Sequence, residues 1–386
     1  MTLSIDQTRG GRTILFLGAD AGYLHDFRAP LMCLFRTRGH RVVAMAALRN
    51  GFDPAAFDAL GVEFREWRIH KASLNPLADL QPLMALRRML AQVRPDVLFA
   101  HTIKPVIYGL ILGRLAGVPR RTAMIPGLGY AFAEASGLKR RLVGAVAAMG
   151  YRTALSGAQM VIFQNPDDRQ TMHGAGALPI TVPTGLVDGS GVDMTRFTPA
   201  PWPPGPPRFL MLARLLKDKG VFEYVEAARI VKREFPDARF VLAGGTDPNP
   251  AAVPQAQLDA WVHEGLIEAP GHVSDPRGLF ADCHVFVLPS FYREGCPRVN
   301  LEAMAMSRAI VTTDWVGCRE TVVDGVNGLM VPPRDGKALG EALLTLARDL
   351  PRARAMGEAG RALCQERFEL GAVARATAAL IAGEAA

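Results

Sequence analysis

No stretch of this chain reaches the roughly 18 unbroken apolar residues that a membrane-spanning helix requires. The best candidate, Pro105 to Pro119, is broken by Arg114. At the N-terminus, Arg9, Arg12 and Ile14-Leu-Phe-Leu-Gly18 give a faint likeness to a secretion signal. That apolar run is short and meets Asp20, so it reads as a first strand. Cysteine is scarce: Cys33, Cys283, Cys296, Cys318 and Cys364 are odd in number, scattered and without any Cys-x-x-Cys spacing. A disulfide framework or zinc site is therefore not expected, and a reducing cytoplasm is the natural setting. A dinucleotide fingerprint is also missing. The glycines of Gly18-Ala-Asp-Ala-Gly22 do not fit it, and no acidic residue ends the second strand, Arg41-Val-Val-Ala-Met-Ala-Ala47, which counts against an NAD enzyme. Zinc-finger spacing, RNA-recognition signatures and recognition-helix patterns are absent as well, so nucleic acid is not an expected partner. No Asp-x-Asp triad stands in an obvious loop; Asp167-Asp168 lies in a helix-like polar stretch and is expected at the surface.

What the chain does have is enough length, at 386 residues, for two domains with full cores, and a composition (49% hydrophobic, 21% charged) ordinary for a soluble globular protein. Charge is unevenly placed: residues 1–190 hold 22 Lys/Arg against 13 Asp/Glu, a net of +9, and residues 191–386 hold 22 against 24, a net of −2. A basic half joined to a near-neutral half points to a polyanionic partner on one lobe. The basic cluster in Leu138-Lys-Arg-Arg-Leu-Val-Gly-Ala-Val-Ala-Ala-Met149 adjoins an apolar helical stretch, as in helices that lie on anionic membrane surfaces; a core helix with a solvated basic end is the alternative.

Strand-like runs recur between helical stretches. Thr13–Leu17, Arg41–Met45, Asp96–Ala100, Arg121–Ile125 and Gln159–Phe163 read as buried strands, with a helix from about His25 to Arg38. After Thr198-Pro-Ala-Pro-Trp-Pro-Pro-Gly-Pro-Pro-Arg208, which reads as a stiff linker, the alternation resumes with Phe209–Ala213, Arg239–Ala243, Cys283–Ser290 and Ala309–Thr313. The expected fold class is α/β with parallel βαβ units in two Rossmann-like lobes and ligands at the carboxyl ends of the strands. Lobe one is expected over 1–198, the linker over 199–208 and lobe two over 209–365, with a final helix in 366–386 returning to lobe one.

Three groups of residues carry chemistry. In Glu294-Gly-Cys-Pro-Arg-Val-Asn-Leu-Glu302, a strand gives way to a loop and then to a helix, with one carboxylate in the loop and one near the helix start. A helix N-terminus suits an anion, and a carboxylate there can accept hydrogen bonds from sugar hydroxyls, so the pairing suggests a sugar nucleotide. Arg214 and Lys219-Gly220, after the first strand of lobe two, place cations at a strand end, where Arg can grip a phosphate bidentately and Lys can neutralise a second charge. Alone, this Arg-Leu-Leu-Lys run would read as a solvated loop; the Glu294–Glu302 loop on a later strand of the same sheet favours the functional reading. His101 closes a strand of lobe one and precedes a helix start at Pro105; it could bond a sugar hydroxyl, although a lone histidine is more often structural. Gly22, lacking a side chain, would allow a phosphate close to the backbone.

Together, Glu294-x7-Glu302, Arg214 with Lys219-Gly220, Gly317-Cys-Arg-Glu-Thr-Val-Val-Asp-Gly-Val-Asn-Gly328 and Gly191-Val-Asp193 resemble the retaining GT-B glycosyltransferases of family 4. His25-Asp-Phe-Arg28, Ala72-Ser-Leu-Asn-Pro76, His101-Thr-Ile-Lys-Pro105 and Gly127-Leu-Gly129 are similar to the branch that extends undecaprenyl-diphosphate-linked sugars, including bacillosaminyl-lipid N-acetylgalactosaminyltransferases. The resemblance implies an interdomain cleft, a nucleotide held mainly by lobe two and an acceptor held by lobe one. It implies that Glu302 bonds the ribose hydroxyls, that Glu294 lies by the donor sugar with the Gly295-Cys296 backbone near it, and that Arg214 and Lys219 bind the diphosphate. His101 would face the donor sugar, and no metal cofactor would be needed. Cys296 reads as a packing residue because no base adjoins it. His25, Arg28 and Lys104 are the lobe-one groups expected nearest a polyprenyl diphosphate, on a chain docked at the inner face of the cytoplasmic membrane. A GT-B epimerase or phosphorylase, or a basic binding module, is the alternative; a phosphorylase should show a pyridoxal-lysine context, which is not identifiable.

Overall fold

The computed structural model describes residues 11–49, 51–69, 77–129, 138–245 and 249–384. The motif Ala72–Pro76 and the side chains of Lys139, Arg140 and Arg141 lie outside the described residues. The chain divides into two compact units: Met1–Pro126, Glu134–Val187 and Ala374–Ala386 form unit 1, and Gly127–Ala133 with Asp188–Val373 form unit 2.

Unit 1 contains β1 (Thr13–Leu17), α1 (Ala21–Thr37), β2 (Arg41–Ala46), α2 (Ala55–Asp58), β3 (Glu63–Glu66), α3 (Leu80–Val93), β4 (Val97–His101), α4 (Ile103–Leu115), β5 (Arg120–Ile125), α5 (Leu138–Leu155), β6 (Met160–Phe163), α6 (Pro166–Gly174) and β7 (Thr184–Leu186). Its sheet runs β3-β2-β1-β4-β5-β6-β7, with every pairing parallel. Ile14–Leu17 and Val97–Ala100 are at most 1% exposed, which is why these strands read as unbroken apolar runs: helices cover both faces. α1 starts four residues before the expected His25 because the Asp20 carboxylate accepts the Tyr23 N–H at 2.9 Å and caps it. Gly22 therefore lies in the first helical turn, not in a loop. Asp168 also departs from expectation. It is fully buried, and its N–H donates to the Asn165 cap of α6 at 2.7 Å.

Unit 2 contains β8 (Arg208–Leu212), α7 (Val221–Glu234), β9 (Arg239–Ala243), α8 (Gln255–His263), β10 (Glu268–Gly271), α9 (Arg277–Ala281), β11 (Val285–Leu288), α10 (Arg298–Ala305), β12 (Ala309–Thr313), β13 (Gly328–Val331), α11 (Gly336–Arg348) and α12 (Leu350–Arg367). The parallel sheet order is β10-β9-β8-β11-β12-β13. Val285 and Val287 of β11 enter one core and Phe286 and Leu288 the other, so the strand's period of two feeds two apolar layers.

The proline-rich run and the last helix both bear on the boundary between the units. The proline-rich run, expected as a stiff linker between lobes, lies inside unit 2. Arg308, 1% exposed, donates to the carbonyls of Ala200 and Pro201 at 3.2 Å, and its guanidinium lies 5.4 Å from the Trp202 ring centre. The long segment of unit 2 begins at Asp188, before this run. The last helix, α13 (Leu370–Ala382), starts in unit 2, where Glu369 accepts the N–H groups of Gly371 and Ala372 at 2.7 and 2.6 Å. Its far end packs on unit 1. Arg120 donates to the carbonyls of Ile381 and Leu380 at 2.5 and 2.8 Å, a cation at the negative end of the helix.

Candidate active site

In an open parallel sheet, ligands sit outside the carboxyl ends of the strands where the strand order reverses. In unit 2 that point is between β8 and β11, and these two strands lead into the loops carrying Arg214–Lys219 and Glu294. A close backbone fit joins the two loops. Gly220 has φ +81°, and a Cβ there would stand 2.2 Å from the Pro289 carbonyl oxygen, so only glycine fits. Next to it, the Asp218 carbonyl accepts the Phe291 N–H at 2.9 Å.

This seam brings the Lys219 ammonium onto the Glu294 carboxylate as an ion pair, with side chains 12% and 15% exposed. Ser290 Oγ lies 3.3 Å from Glu294 Oε1 and 3.4 Å from the Asp218 carbonyl. The Arg214 guanidinium and Lys219 ammonium lie 5.7 and 5.1 Å from the centre of the Tyr292 ring. Gly317, at φ +77°, closes the other side: a Cβ there would meet the Glu294 carbonyl oxygen at 2.4 Å. The structure therefore gathers Arg214, Lys219, Glu294 and Gly295, and adds Ser290 and Tyr292, which the motifs did not single out.

Glu302 sits one turn into α10 and is 8% exposed. Burial raises its pKa above the ordinary carboxylate value, opposed by the charges of Arg298 and Arg196. Arg298 Nε is 3.0 Å from Glu302 Oε1. A cation in a first helical turn opposes the helix dipole, and its placement here is explained by the carboxylate one turn on. Cys296 packs against Gly189, where a Cβ would come within 3.0 Å of its Sγ. Burial pushes this thiol's pKa well up, which makes it a poor nucleophile and fits the packing role expected of it.

In unit 1 the order reverses between β1 and β4. His101, the last residue of β4, is fully buried against Gly18, the residue after β1; a Cβ on Gly18 would lie 2.9 Å from His101 Nε2. Neither ring nitrogen has a hydrogen-bond partner among the described residues. Burial, with the Arg28 charge adding to it, pushes the His101 pKa down to about 3. The imidazole is thus neutral at working pH, with one N–H to donate and one lone pair to accept. Thr102 follows with φ +69° and ψ 162°, a strained conformation for a non-glycine residue, and its buried Oγ1 also lacks a partner among the described residues.

This histidine carries a testable consequence. Its folded pKa lies below its unfolded value of 6.5, so its contribution to stability is present above pH 6.5 and is lost as pH falls toward about 3. The loss should approach about 1.4 kcal/mol per pH unit in that window. Chemical denaturation between pH 4 and 7 should show a steeper acid loss for the native chain than for His101→Asn. Equal slopes would mean that the imidazole is not held neutral.

The other unit 1 candidates have separate surroundings. Gly22 is tight against Arg49 and Phe52, with a would-be Cβ 3.2 Å from the Arg49 guanidinium, a cation the sequence reading passed over. His25 lies against the rings of Phe52 and Phe57, at 5.8 and 5.6 Å between centres. Arg28 is 3% exposed and donates to the Phe27 carbonyl at 3.3 Å. Lys104 pairs with a carboxylate of its own unit. Both Asp79 carboxylate oxygens bind its ammonium, at 2.9 and 2.7 Å, and Tyr108 donates to the same carboxylate at 2.6 Å. Asp79 is 2% exposed, so this ion pair lies inside unit 1.

Two family models match the chain: the glycosyl transferase 4-like domain over residues 29–185 and glycosyl transferases group 1 over residues 206–349. With one model on each half, the chain is a glycosyltransferase of the group 1, family 4-like type. It is 29% identical, over 86% of its length and 89% of the relative's, to the N,N'-diacetylbacillosaminyl-diphospho-undecaprenol alpha-1,3-N-acetylgalactosaminyltransferase of Campylobacter jejuni. It is 36% identical to the alpha-maltose-1-phosphate synthase of Mycolicibacterium smegmatis over 49% of its own length and 54% of that protein's. Among solved structures, Anabaena HepE in complex with UDP superposes with a TM-score of 0.76 at 18% identity, covering 96% of this chain and 100% of HepE. The sucrose-phosphate synthase of Thermosynechococcus elongatus gives 0.77 at 19% identity, over 96% and 98% of the two chains. These likenesses establish the GT-B fold, and the family matches make this glycosyltransferase an enzyme of the transferase class.

Proposed function

We propose that this glycosyltransferase moves a hexose or N-acetylhexosamine from a UDP-linked donor to a saccharide carried on a polyprenyl diphosphate, with retention of anomeric configuration. The observation that carries the reading is the match to the Campylobacter enzyme across 86% of the chain, because that enzyme is named for an undecaprenol-diphosphate acceptor. HepE, solved with UDP and with UDP-glucose, supports the choice of nucleotide.

Glycosyl transfer develops positive charge at the anomeric carbon and negative charge on the departing diphosphate. Arg214, Lys219 and the backbone N–H groups at the start of α10 stabilise the leaving group, so no metal is required. Glu302 accepts hydrogen bonds from the ribose hydroxyls, and Glu294, with the Gly295-Cys296 backbone, lies at the donor sugar. His101 bonds a sugar hydroxyl through a neutral ring nitrogen, and Gly22 offers its backbone to a phosphate. The diphosphate oxygen takes the acceptor's proton as the new bond forms on the same face. His25, Arg28 and Lys104 serve the acceptor side. A panel of sugar nucleotides, with the product anomer read by NMR, tests donor and stereochemistry together. An α-linked donor should give an α-linked product, at a rate unchanged by EDTA. A β-linked product, or activity abolished by EDTA and restored by a divalent ion, would refute this mechanism.

The acceptor lipid places the enzyme at a membrane surface. No described helix is long and apolar enough to cross a bilayer. We read the +9 of residues 1–190 as the attachment device, at about 1 kcal/mol for each basic residue near anionic lipid. Co-sedimentation with vesicles should require anionic lipid, fall with salt and weaken when residues 139–141 are changed to glutamate. Binding indifferent to lipid charge would refute docking and leave the transferase assignment standing.

A further inference from the structure

Two like charges meet one aromatic ring in unit 2. The Arg214 guanidinium is 5.7 Å and the Lys219 ammonium 5.1 Å from the Tyr292 centroid. Both fall within the roughly 6 Å over which a ring's quadrupole attracts a cation. The ring's backbone is itself fixed. The Tyr292 N–H donates to Ser290 Oγ at 3.2 Å, and the neighbouring Phe291 N–H donates to the Asp218 carbonyl at 2.9 Å, in the turn that carries Lys219. Tyr292 belongs to the β11–α10 loop and the cations to the β8–α7 loop, so the Gly220–Pro289 contact sets the spacing between ring and charges.

The choice of an aromatic partner has a chemical consequence. Arg and Lys side chains lose much rotamer freedom when they bind a ligand, and two adjacent cations repel each other. A carboxylate could hold them, but it would occupy the N–H donors that a phosphate needs. Glu294 does this to Lys219, and an arriving diphosphate has to displace it. A ring face attracts the cation without accepting its hydrogen bonds in the same way, so it can hold both side chains while they also bind phosphate oxygens.

We propose that Tyr292 is a positioning residue: its ring holds Arg214 and Lys219 ready for the two phosphates of a nucleoside diphosphate. The proposal rests on the reading of those two cations as the diphosphate pair. It requires the ring and not the hydroxyl.

The test uses the full chain, with UDP and uridine as probes, in Tyr292→Phe, Tyr292→Leu and Lys219→Ala. Tyr292→Phe should bind UDP within about 2-fold of the native chain, while Tyr292→Leu should lose about 10-fold, the size expected when two partly desolvated cation–ring contacts go. Binding of uridine, which has no phosphate, should change less than about 2-fold in both, because a preserved cation–ring geometry acts only on phosphate. Equal UDP affinity in Tyr292→Leu alongside a clear loss in Lys219→Ala would overturn the role of the ring and keep the diphosphate pair. An equal loss in the Phe and Leu variants, or an equal loss for UDP and uridine, would also overturn it, because either would mean a hydroxyl or purely structural effect. UDP affinity unchanged in Lys219→Ala would remove the diphosphate pair itself, and the positioning role with it.

Discussion

Lys219→Ala should lower turnover by about 100-fold or more, the scale on which losing one preorganised electrostatic stabiliser slows an enzyme. The expectation follows from where the charge sits. Lys219 is anchored in the seam between the two loops of unit 2, only 12% exposed, where its field on a departing diphosphate is little screened by water. Its charge is matched by Glu294. On the proposed mechanism, an arriving diphosphate takes over the ammonium and frees Glu294 for the donor sugar. The alanine variant removes both the stabiliser and this exchange. It also leaves a largely buried carboxylate without its cation, so melting temperature and turnover should be read on the same preparation. Lys219→Arg, which keeps the charge, should retain more activity than Lys219→Ala. Near-normal turnover in Lys219→Ala would remove the pair from the mechanism.

Glu302→Gln and Glu294→Gln should fail in different ways. A ribose contact persists from ground state to transition state, so losing the Glu302 carboxylate should weaken nucleotide binding while kcat changes little. The loss should be about 10- to 100-fold in affinity, the range for a hydrogen bond to a charged group. The structure adds a reason for a strong effect. Glu302 is 8% exposed, and Arg298 holds it at 3.0 Å, so its direction is fixed before the nucleotide arrives. Glu294→Gln should act mainly on kcat, with affinity for free UDP changed less. Matching losses of UDP affinity in the two variants would show that the division of labour is wrong.

How much was legible in the sequence depended on how local the signal was. Strands buried on both faces, such as Val97–His101 and Ala309–Thr313, stand out because both neighbours demand apolar residues. Glu63–Glu66 and Glu268–Gly271 lie at sheet edges, carry charge or proline, and gave no such signal. The start of α1 is not legible because its cap, Asp20, stands inside the glycine- and alanine-rich run Gly18–Gly22. The linker reading failed for a tertiary reason: Arg308, a hundred residues away in the chain, holds the proline run on unit 2. In the site, the motif residues were legible because their spacing follows strand, loop and helix. Tyr292 and Ser290 were not, because their roles depend on a contact between two loops far apart in sequence. Lys104 shows the same limit: its pairing with Asp79, 25 residues away in the chain, is not legible in its motif.

The most direct test of the central claim is release of UDP from a UDP-sugar by the purified enzyme, measured with and without a polyprenyl-diphosphate-linked saccharide. The account predicts release that is negligible with donor alone and rises in proportion to added acceptor. One labelled sugar should appear on the lipid for each UDP formed. UDP release equally fast without acceptor, or acceptor-dependent release that leaves the lipid unlabelled, would contradict it.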